Sequence, residues 1–354
     1  MSIIEASVAG AGALGHDRDG LRRCVVVGTG GTIGTRGSDP LDRNEYMYGG
    51  TSVDTTSTLD NLPDFPGRPE LEAIAITDKP SHDLDAGDQL GLARVVEQLR
   101  ARRDVDAVVV QHGTNTVEET AFTLDLLLPH GKPVVLVGSM RPSGVVGTDA
   151  DSNLIDAIRL AMSPAAANRG VLVSLGGRVF AARDVTKIDS RSLAGFGAPV
   201  LGPIGLVEPD GEVFLSGAAP PDVAMLGRIG DATELPRVDI VVSHCTADGT
   251  LIEAACAAGA RGVVCAGTGA GFPTARQVAA LRAAAANGVL VCRSSRIASA
   301  YVTPPSRTST DPDPDFLWSA HLNAYQARIA LSIALAAGST ADARRTAQEL
   351  FARF

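Results

Sequence analysis

Short valine-rich apolar runs alternate with stretches of helical apolar periodicity along most of the chain. Apolar runs of this length, without polar alternation, are typical of strands buried on both faces of a sheet. Such strands are predicted at 24–27, 107–110, 133–137, 170–173, 239–242, 262–265 and 289–292. Helices are predicted at 88–100, 117–128, 153–161, 251–258, 274–286, 323–337 and 341–354. The repeated order of strand and then helix predicts an α/β fold with a parallel, doubly wound sheet.

A Gly- and Pro-rich segment from 191 to 237 interrupts this alternation. Its composition and weak helical periodicity favour a connection between domains. A chain of 354 residues has the length of roughly two domains. We therefore predict a flexible N-terminal extension (1–20), a large Rossmann-like N-terminal catalytic domain (21–215), a linker (216–237) and a smaller C-terminal α/β domain (238–354).

Composition narrows the class of protein. Hydrophobic residues make up 45% and charged residues 20% of the chain, as in folded globular proteins. The formal net charge of -9 argues against binding to the phosphate backbone of nucleic acids. Residues 1–20 lack the basic start and apolar segment of a signal peptide, and no apolar run approaches the ~20 residues of a membrane span. We predict a cytoplasmic protein with neither a nucleic-acid nor a membrane partner.

The five cysteines form no C-x-x-C pair and have no closely spaced histidine. This pattern indicates neither a disulfide framework nor a zinc site. Four of them lie in or beside valine-rich runs: Cys24, Cys245, Cys265 and Cys292. We expect these four to be reduced residues of the core.

A glycine-rich turn at 28–34 follows the first predicted strand. A dinucleotide-binding fingerprint that starts at Gly28 needs Gly or Ala at position 33, where Ile33 stands, and the lysine of a P-loop is missing. The turn therefore presents the hydroxyls of Thr29 and Thr32 at the edge where α/β sheets bind ligands. A purely structural turn is the alternative.

A second turn follows the next long strand and leads directly into a helix. Thr116 and Glu119 fit a capping box, so part of this turn has a structural explanation. Thr114 and Asn115 come just before that cap, where free backbone N–H groups favour an anion or a developing oxyanion. Lys187 would be an ordinary surface charge unless it lies against these threonine turns.

Six short motifs follow one another along nearly the whole chain. They are Thr29-Gly30-Gly31-Thr32-Ile33, His112-Gly113-Thr114-Asn115-Thr116 with Glu118-Glu119-Thr120-Ala121, Gly138-Ser139-Met140-Arg141-Pro142, Asn168-Arg169-Gly170-Val171, Arg183-Asp184-Val185-Thr186-Lys187 and Arg293-Ser294-Ser295-Arg296. Together these motifs resemble those of the bacterial-type L-asparaginases, which are homotetrameric amidohydrolases that use a threonine nucleophile. Six motifs in the right order are more specific than any one of them.

The resemblance implies roles for the catalytic residues. Thr32 corresponds to the nucleophile, and Tyr46 to its hydroxyl partner, with Tyr48 as the alternative. Thr114 and Lys187 correspond to the second threonine and its lysine, which activate a nucleophile or water. A hydroxyl attacks an amide only when a base or a lowered pKa activates it, so these residue types suit the reaction.

The resemblance also implies a substrate site without metal or organic cofactor, completed between subunits of a homotetramer. Ser81, in a loop with Asp83, corresponds to the serine that binds the substrate α-carboxylate. The implied substrate-binding residues are Gly31, Ser81, His82, Asn115 and Ser139.

The chain departs from the family pattern around the substrate amine. Asn115 replaces the aspartate that holds the α-ammonium group, and the segment 306–309 offers no carboxylate where a neighbouring subunit would contribute a glutamate. Asp311 is the nearest substitute. His82 stands in place of the usual glutamine, and Thr246 in place of an asparagine of the second domain.

These departures all weaken recognition of a free ammonium group, because a buried ammonium without a carboxylate loses a charge-assisted interaction. A neutral residue beside Lys187 should also lower the pKa of this lysine and leave more neutral amine to act as a base. We expect an enzyme that hydrolyses a small carboxamide without a free α-ammonium: an N-acylated, peptide-linked or des-amino amide. The alternatives are an ordinary L-asparaginase, a non-hydrolytic tailoring enzyme and a catalytically lapsed binding protein.

Overall fold

The computed structural model describes residues 22–304, 313 and 315–353. The chain divides into two compact units, of which the first ends at Asp222 and the second begins at Val223. The extension predicted for residues 1–20 lies outside the described residues. None of the described helices is long and apolar enough to cross a membrane.

The first unit is built around a large mixed sheet. Its strands are β1 (Arg23–Gly28), β2 (Thr35–Arg36), β3 (Thr51–Ser52), β4 (Glu70–Ala75), β5 (Ala107–Gln111), β6 (Val134–Val137), β7 (Val171–Leu175), β8 (Arg178–Ala181), β9 (Thr186–Lys187), β10 (Phe196–Gly197), β11 (Gly205–Val207) and β12 (Val213–Leu215). In the described part of this unit the large sheet has eight strands, in the order β12-β11-β8-β7-β6-β5-β1-β4. The five strands from β7 to β4 run parallel to one another.

Helices and short 3-10 turns connect these strands. The helices of the first unit are α1 (Tyr46–Gly49), α2 (Thr55–Asp60), α3 (Ala86–Ala101), α4 (Val117–Leu127) and α5 (Ala150–Met162), and the 3-10 turns are Thr32–Gly34, Ser81–Asp83 and Pro164–Ala166. Helix α5 packs on β5 and β6 through a core that includes Val109, Val135, Leu154 and Ile158. Helices α3 and α4 contact β5, β6 and β7 as well. Side chains alternate between the two faces of a strand, so the residues directly before and after Val109 in β5 face the helices on the opposite side of the sheet.

The antiparallel edge of the sheet was not predicted. Strands β8, β11 and β12 run antiparallel, and β10, β11 and β12 lie within the segment 191–237 that the sequence favours as a connection. Strands β11 and β12 have only three residues each and lie among glycines and prolines, so neither forms an apolar run as long as those of the buried strands. The segment is therefore not a simple connection, whereas the domain boundaries at 215 and 238 stay predictions.

The second unit has a smaller parallel sheet. Its strands are β13 (Val238–Val242), β14 (Gly262–Gly267), β15 (Leu290–Ser295) and β16 (Leu317–Trp318), and its helices are α6 (Leu226–Ile229), α7 (Thr250–Ala257), α8 (Ala275–Ala286), α9 (Ala324–Ala336) and α10 (Thr340–Phe351). Within the residues described, these four strands pair in sequence order and all run parallel. Ile252, Val263, Leu281 and Val291 form its core.

The cysteines of the described residues are all free thiols. Cys24, Cys265 and Cys292 are buried, as expected of core residues. Burial raises the pKa of Cys24 to about 12 and that of Cys265 to about 11, so both thiols stay protonated. The prediction is wrong for Cys245, which is exposed because the chain has already left β13 at this position.

Candidate active site

The carboxyl ends of β1 and β5 border a cavity of about 470 Å³ in the first unit. Cavities of this size and position are typical of small-molecule sites in α/β proteins. Its wall includes residues predicted to be catalytic, namely Thr32, Tyr46, Thr114 and Lys187, and residues predicted to bind substrate, namely Gly31, Ser81, His82 and Asn115. Residues that are far apart in the chain are thus brought together by the sheet.

Two turns of the backbone meet at the floor of the cavity. Gly31 has a φ angle of 86°, and a Cβ atom added to it would lie 2.2 Å from the Cα atom of Gly113. Only glycine fits both the left-handed conformation and this close approach. The contact between the turns brings Thr32, which begins a 3-10 turn, towards Thr114.

Thr32 faces a tyrosine whose loop is held by a carboxylate. Thr32 Oγ1 lies 3.4 Å from the hydroxyl oxygen of Tyr46, the first residue of α1. The carboxylate of Asp42, a buried residue, accepts hydrogen bonds from the backbone N–H groups of Asn44, Glu45 and Tyr46 at 3.1, 2.7 and 3.1 Å. Sequence reasoning missed Asp42, although an aspartate that precedes a turn is a known Asx-turn signal.

Lys187 joins the second turn to β9. Its ammonium group donates to Thr114 Oγ1 at 2.9 Å and to Asn115 Oδ1 at 3.3 Å, and its backbone N–H donates to Glu118 Oε2 at 2.8 Å. Burial lowers the pKa of Lys187 below the usual 10.5, while the charge of Glu118 acts in the opposite direction. Burial also raises the pKa of Glu118. The lysine is therefore closer to deprotonation than a surface lysine.

The Asn115 amide lies between Lys187 and His82. Because an ammonium group only donates hydrogen bonds, the amide oxygen faces Lys187. The amide nitrogen then lies 3.4 Å from His82 Nδ1. His82 is exposed in the wall of the cavity, so this pair borders the space open to a ligand.

The loop that carries Ser81 is fixed to the start of α4. Thr116 Oγ1 donates a hydrogen bond of 2.6 Å to the carbonyl oxygen of Ser81. The prediction that the Thr116 hydroxyl caps the helix is wrong, because this hydroxyl is used by the loop and makes no capping bond to the helix backbone. Ser81 Oγ lies close to the second turn, 2.6 Å from where a Cβ atom on Gly113 would be.

Ser139 is not brought into the cavity. It is fully buried, and its hydroxyl has no hydrogen-bond partner among the described residues. The neighbouring Met140 lines the cavity in its place. The carboxylate of Asp149 accepts hydrogen bonds from the backbone N–H groups of Met140 and Arg141, at 2.9 Å in each case, and so fixes the backbone of this turn.

Other predicted contributors lie elsewhere. Asp311 and the segment 306–309 lie outside the described residues, as does the side chain of Tyr48. Thr246 belongs to the second unit, where its hydroxyl is exposed and lies 3.2 Å from His244 Nδ1. Asp78 lines the cavity and was missed, since nothing in the loop after β4 marks it as a site residue.

The arrangement is suited to acyl transfer. Hydroxyl groups stand beside a lysine of lowered pKa and beside the amino-terminal end of α4, which favours negative charge. Within the ranges the structure describes, no group of three His, Cys, Asp or Glu residues is placed to hold a metal ion. The fold and the cavity thus define an α/β enzyme with a hydroxyl and lysine site.

Comparisons with known proteins identify the family. Residues 23–219 match the model of "Asparaginase, N-terminal", and residues 237–350 match that of "Glutaminase/Asparaginase C-terminal domain". The chain therefore belongs to the asparaginase family. It is a hydrolase that acts on carbon–nitrogen amide bonds. The predicted resemblance, fold class and enzyme class are confirmed.

Individual relatives cover most of the chain. L-asparaginase 2 of Bacillus subtilis is 33% identical over 327 residues, which are 91% of this chain and 85% of the relative. A glutaminase-asparaginase of Acinetobacter glutaminasificans is 35% identical over 319 residues, which are 88% of this chain and 94% of the relative. The crystal structure of a probable cytoplasmic L-asparaginase from Campylobacter jejuni has a TM-score of 0.84 and 29% identity, and the match covers 94% of this chain and 100% of that one.

Proposed function

We propose that the protein hydrolyses a small carboxamide through a threonine acyl-enzyme, and that the substrate lacks a free α-ammonium group. The observation that carries this proposal is the contact of Lys187 with both Thr114 and the neutral Asn115, in the same cavity as the pair of Thr32 and Tyr46. The site thus combines activated hydroxyls with a neutral residue where the resemblance implies an aspartate.

The reaction begins at Thr32. Its Oγ1 forms a bond to the carboxamide carbon, and its proton passes through the hydroxyl of Tyr46 to the departing nitrogen. The carbon–nitrogen bond breaks, ammonia or an amine leaves, and the acyl group remains on Thr32 as an ester. The N-terminal end of α4 stabilises the negative oxygen of the tetrahedral intermediate.

Water completes the cycle. The pair of Thr114 and Lys187 takes a proton from a water molecule, whose oxygen bonds to the ester carbon. The ester bond breaks, Thr32 regains its proton, and a carboxylic acid leaves. One water molecule is consumed for each amide bond, with no oxidation or reduction.

The charges around Asn115 indicate which class of substrate the site accepts. A free α-ammonium group beside Asn115 would find Lys187 nearby and no carboxylate at position 115, so it would lose an ion pair and gain a repulsion. An amide without this group avoids both effects. In this proposal Ser81, which lines the cavity and whose carbonyl oxygen accepts a hydrogen bond from Thr116, binds the carboxylate of such a substrate.

Ordinary hydrolysis of free L-asparagine is the second candidate. The names of the relatives, L-asparaginase and glutaminase-asparaginase, describe that reaction for those proteins. Asp78 favours it here, because it brings an acidic residue to the wall of the cavity, whereas position 115 has none. Non-hydrolytic tailoring and ligand binding without turnover are further alternatives. Analysis of the products separates tailoring from hydrolysis, and a bound ligand that is recovered unchanged would indicate binding alone.

Two further proposals rest on the resemblance. We propose that the protein is a homotetramer whose sites need a second subunit, and that it acts in the cytoplasm on a small molecule. Sedimentation of the purified protein tests the first. Fractionation of cells that produce the protein tests the second.

Ammonia release tests the proposed reaction. The substrates are L-asparagine, L-glutamine, N-acetyl-L-asparagine, an asparaginyl peptide and succinamic acid. We expect turnover of the last three to exceed that of free asparagine, to disappear in Thr32→Ala and to persist in Thr56→Ala, a control on the exposed surface of α2. Faster ammonia release from free asparagine would instead support ordinary L-asparagine hydrolysis. No ammonia release from any of these amides would argue against hydrolysis.

A further inference from the structure

The amide of Asn115 has a fixed orientation, and this orientation limits what a substrate can present to it. Its oxygen accepts from Lys187 Nζ at 3.3 Å, which leaves the NH2 group on the side of His82. A donor group therefore borders the cavity at position 115. An aspartate at the same position would offer only acceptors.

His82 accepts a hydrogen bond from one of the two N–H groups of this amide. The contact of 3.4 Å between Asn115 Nδ2 and His82 Nδ1 requires the ring nitrogen to accept, which puts the ring proton on Nε2. No other group among the described residues is hydrogen-bonded to the Asn115 nitrogen, so its second N–H is available to a ligand. Asn115 itself is exposed in the cavity wall.

We infer that the substrate places the carbonyl oxygen of an N-acyl group against the Asn115 amide. This inference rests on the proposed function and narrows its substrate class to N-acylated or peptide-linked asparagine-type amides. An acyl carbonyl accepts the second N–H of Asn115 and, being neutral, is not repelled by Lys187. A des-amino substrate has no group that accepts a hydrogen bond from this N–H. A free ammonium group is itself only a donor, so it cannot form a hydrogen bond with the N–H of Asn115.

The size of the cavity agrees with a substrate that extends beyond a single amino acid. Its volume of about 470 Å³ lies within the range of roughly 300 to 1,000 Å³ found for sites that bind drug-sized ligands. The acyl group therefore has room on the side of His82, which is exposed. Shape and hydrogen bonding thus favour the same class of substrate.

Equilibrium binding to the Thr32→Ala variant tests the inference without turnover. The ligands are N-acetyl-L-asparagine, succinamic acid and L-asparagine, measured by titration calorimetry. We expect N-acetyl-L-asparagine to bind about fivefold or more tightly than succinamic acid, as one added hydrogen bond implies, and L-asparagine to bind most weakly. The product pair N-acetyl-L-aspartate and succinate should follow the same order with the wild-type enzyme.

Asn115→Asp supplies the sharper comparison, because it keeps the shape of the side chain and replaces its donor with an acceptor. We expect this substitution to weaken the binding of N-acetyl-L-asparagine and to strengthen the binding of L-asparagine. Asn287→Asp, an exposed position at the end of α8 in the second unit, makes the same chemical change away from the cavity and should leave the order of the ligands unchanged.

The outcomes separate the inference from the proposed function. Equal binding of N-acetyl-L-asparagine and succinamic acid would overturn the inference, while turnover of both would still support the amidohydrolase. Tightest binding of L-asparagine, lost in Asp78→Asn, would overturn the inference and favour the ordinary reaction. The expected order of binding without ammonia release by the wild type would support the inference and contradict the proposed hydrolysis.

Discussion

The ammonium group of Lys187 lies 2.9 Å from the hydroxyl oxygen of Thr114, although the two residues are 73 positions apart in the chain. Burial lowers the pKa of Lys187, and the carboxylate of Glu118 partly opposes this shift. A lysine acts as a base only in its neutral form, whose fraction rises with pH. Activity should therefore rise with pH along a limb whose midpoint lies below the usual lysine value of 10.5.

Asn115→Asp should move this limb to higher pH. A carboxylate next to the ammonium group favours the charged form and raises the pKa of Lys187. The measurement is the pH profile of kcat/KM for the best substrate. A variant profile that coincides with that of the wild type would show that Lys187 is not the group that titrates.

Glu118→Gln should move the same limb in the opposite direction. The glutamine oxygen can still accept the backbone N–H of Lys187, so β9 keeps its position, but the negative charge near the ammonium group is lost. The pKa of Lys187 then falls further, and the enzyme reaches full activity at lower pH. Opposite shifts in the two variants are expected only if the charge on Lys187 controls the rate.

Asp42→Ala should lower kcat by about tenfold, because Asp42 holds the turn that carries Tyr46. Asp42 does not line the cavity, whereas Tyr46 does, so we expect the effect of Asp42 to pass through Tyr46. We therefore expect Asp42→Ala combined with Tyr46→Phe to be no slower than Tyr46→Phe alone. Asp39→Ala removes an exposed carboxylate from the same loop and is the matched control. Additive losses in the double variant would contradict this coupling.

Thr116→Val should raise KM more than it lowers kcat. The valine keeps the shape of threonine but cannot donate to the carbonyl oxygen of Ser81, so the loop that we propose to bind the substrate carboxylate loosens. One lost hydrogen bond implies an increase of about fivefold in KM. Thr116→Ser retains the hydroxyl and should restore most of the affinity. Failure of the serine to do so would show that the methyl group, and not the hydrogen bond, matters here.

The buried strands could be predicted from sequence because their signal is local. Val25, Val108 and Val135 stand in continuous apolar runs, and each run is a strand of the sheet. The antiparallel edge could not be predicted, because β11 and β12 are only three residues long and lie in a Gly- and Pro-rich segment. A strand at an edge is defined by its neighbour, which sequence alone does not reveal.

The candidate site likewise has features that could be predicted from the sequence and features that could not. The resemblance implied that Thr32, Thr114 and Lys187 share one site, and the structure brings all three to the wall of one cavity. The partner of Thr116 lies in a loop distant in sequence, so the local capping rule gave the wrong result. The burial of Ser139 likewise depends on the fold and did not follow from the resemblance. Local chemistry was readable from sequence, whereas the choice between competing hydrogen-bond partners required the fold.

Gly31→Ala should destabilise the enzyme more than the left-handed backbone alone requires. At Gly67 the φ angle is 77° and an added Cβ atom meets nothing within 4 Å, so Gly67→Ala should cost only about 1 to 2 kcal/mol in the free energy of unfolding. At Gly31 the φ angle is 86°, and the added atom would lie 2.2 Å from the backbone of Gly113, which no change of rotamer can relieve. We expect a loss of about 3 kcal/mol or more, measured by urea denaturation, together with loss of activity. Equal costs at the two glycines would show that the turns can separate without penalty, and the active site would then not depend on their contact.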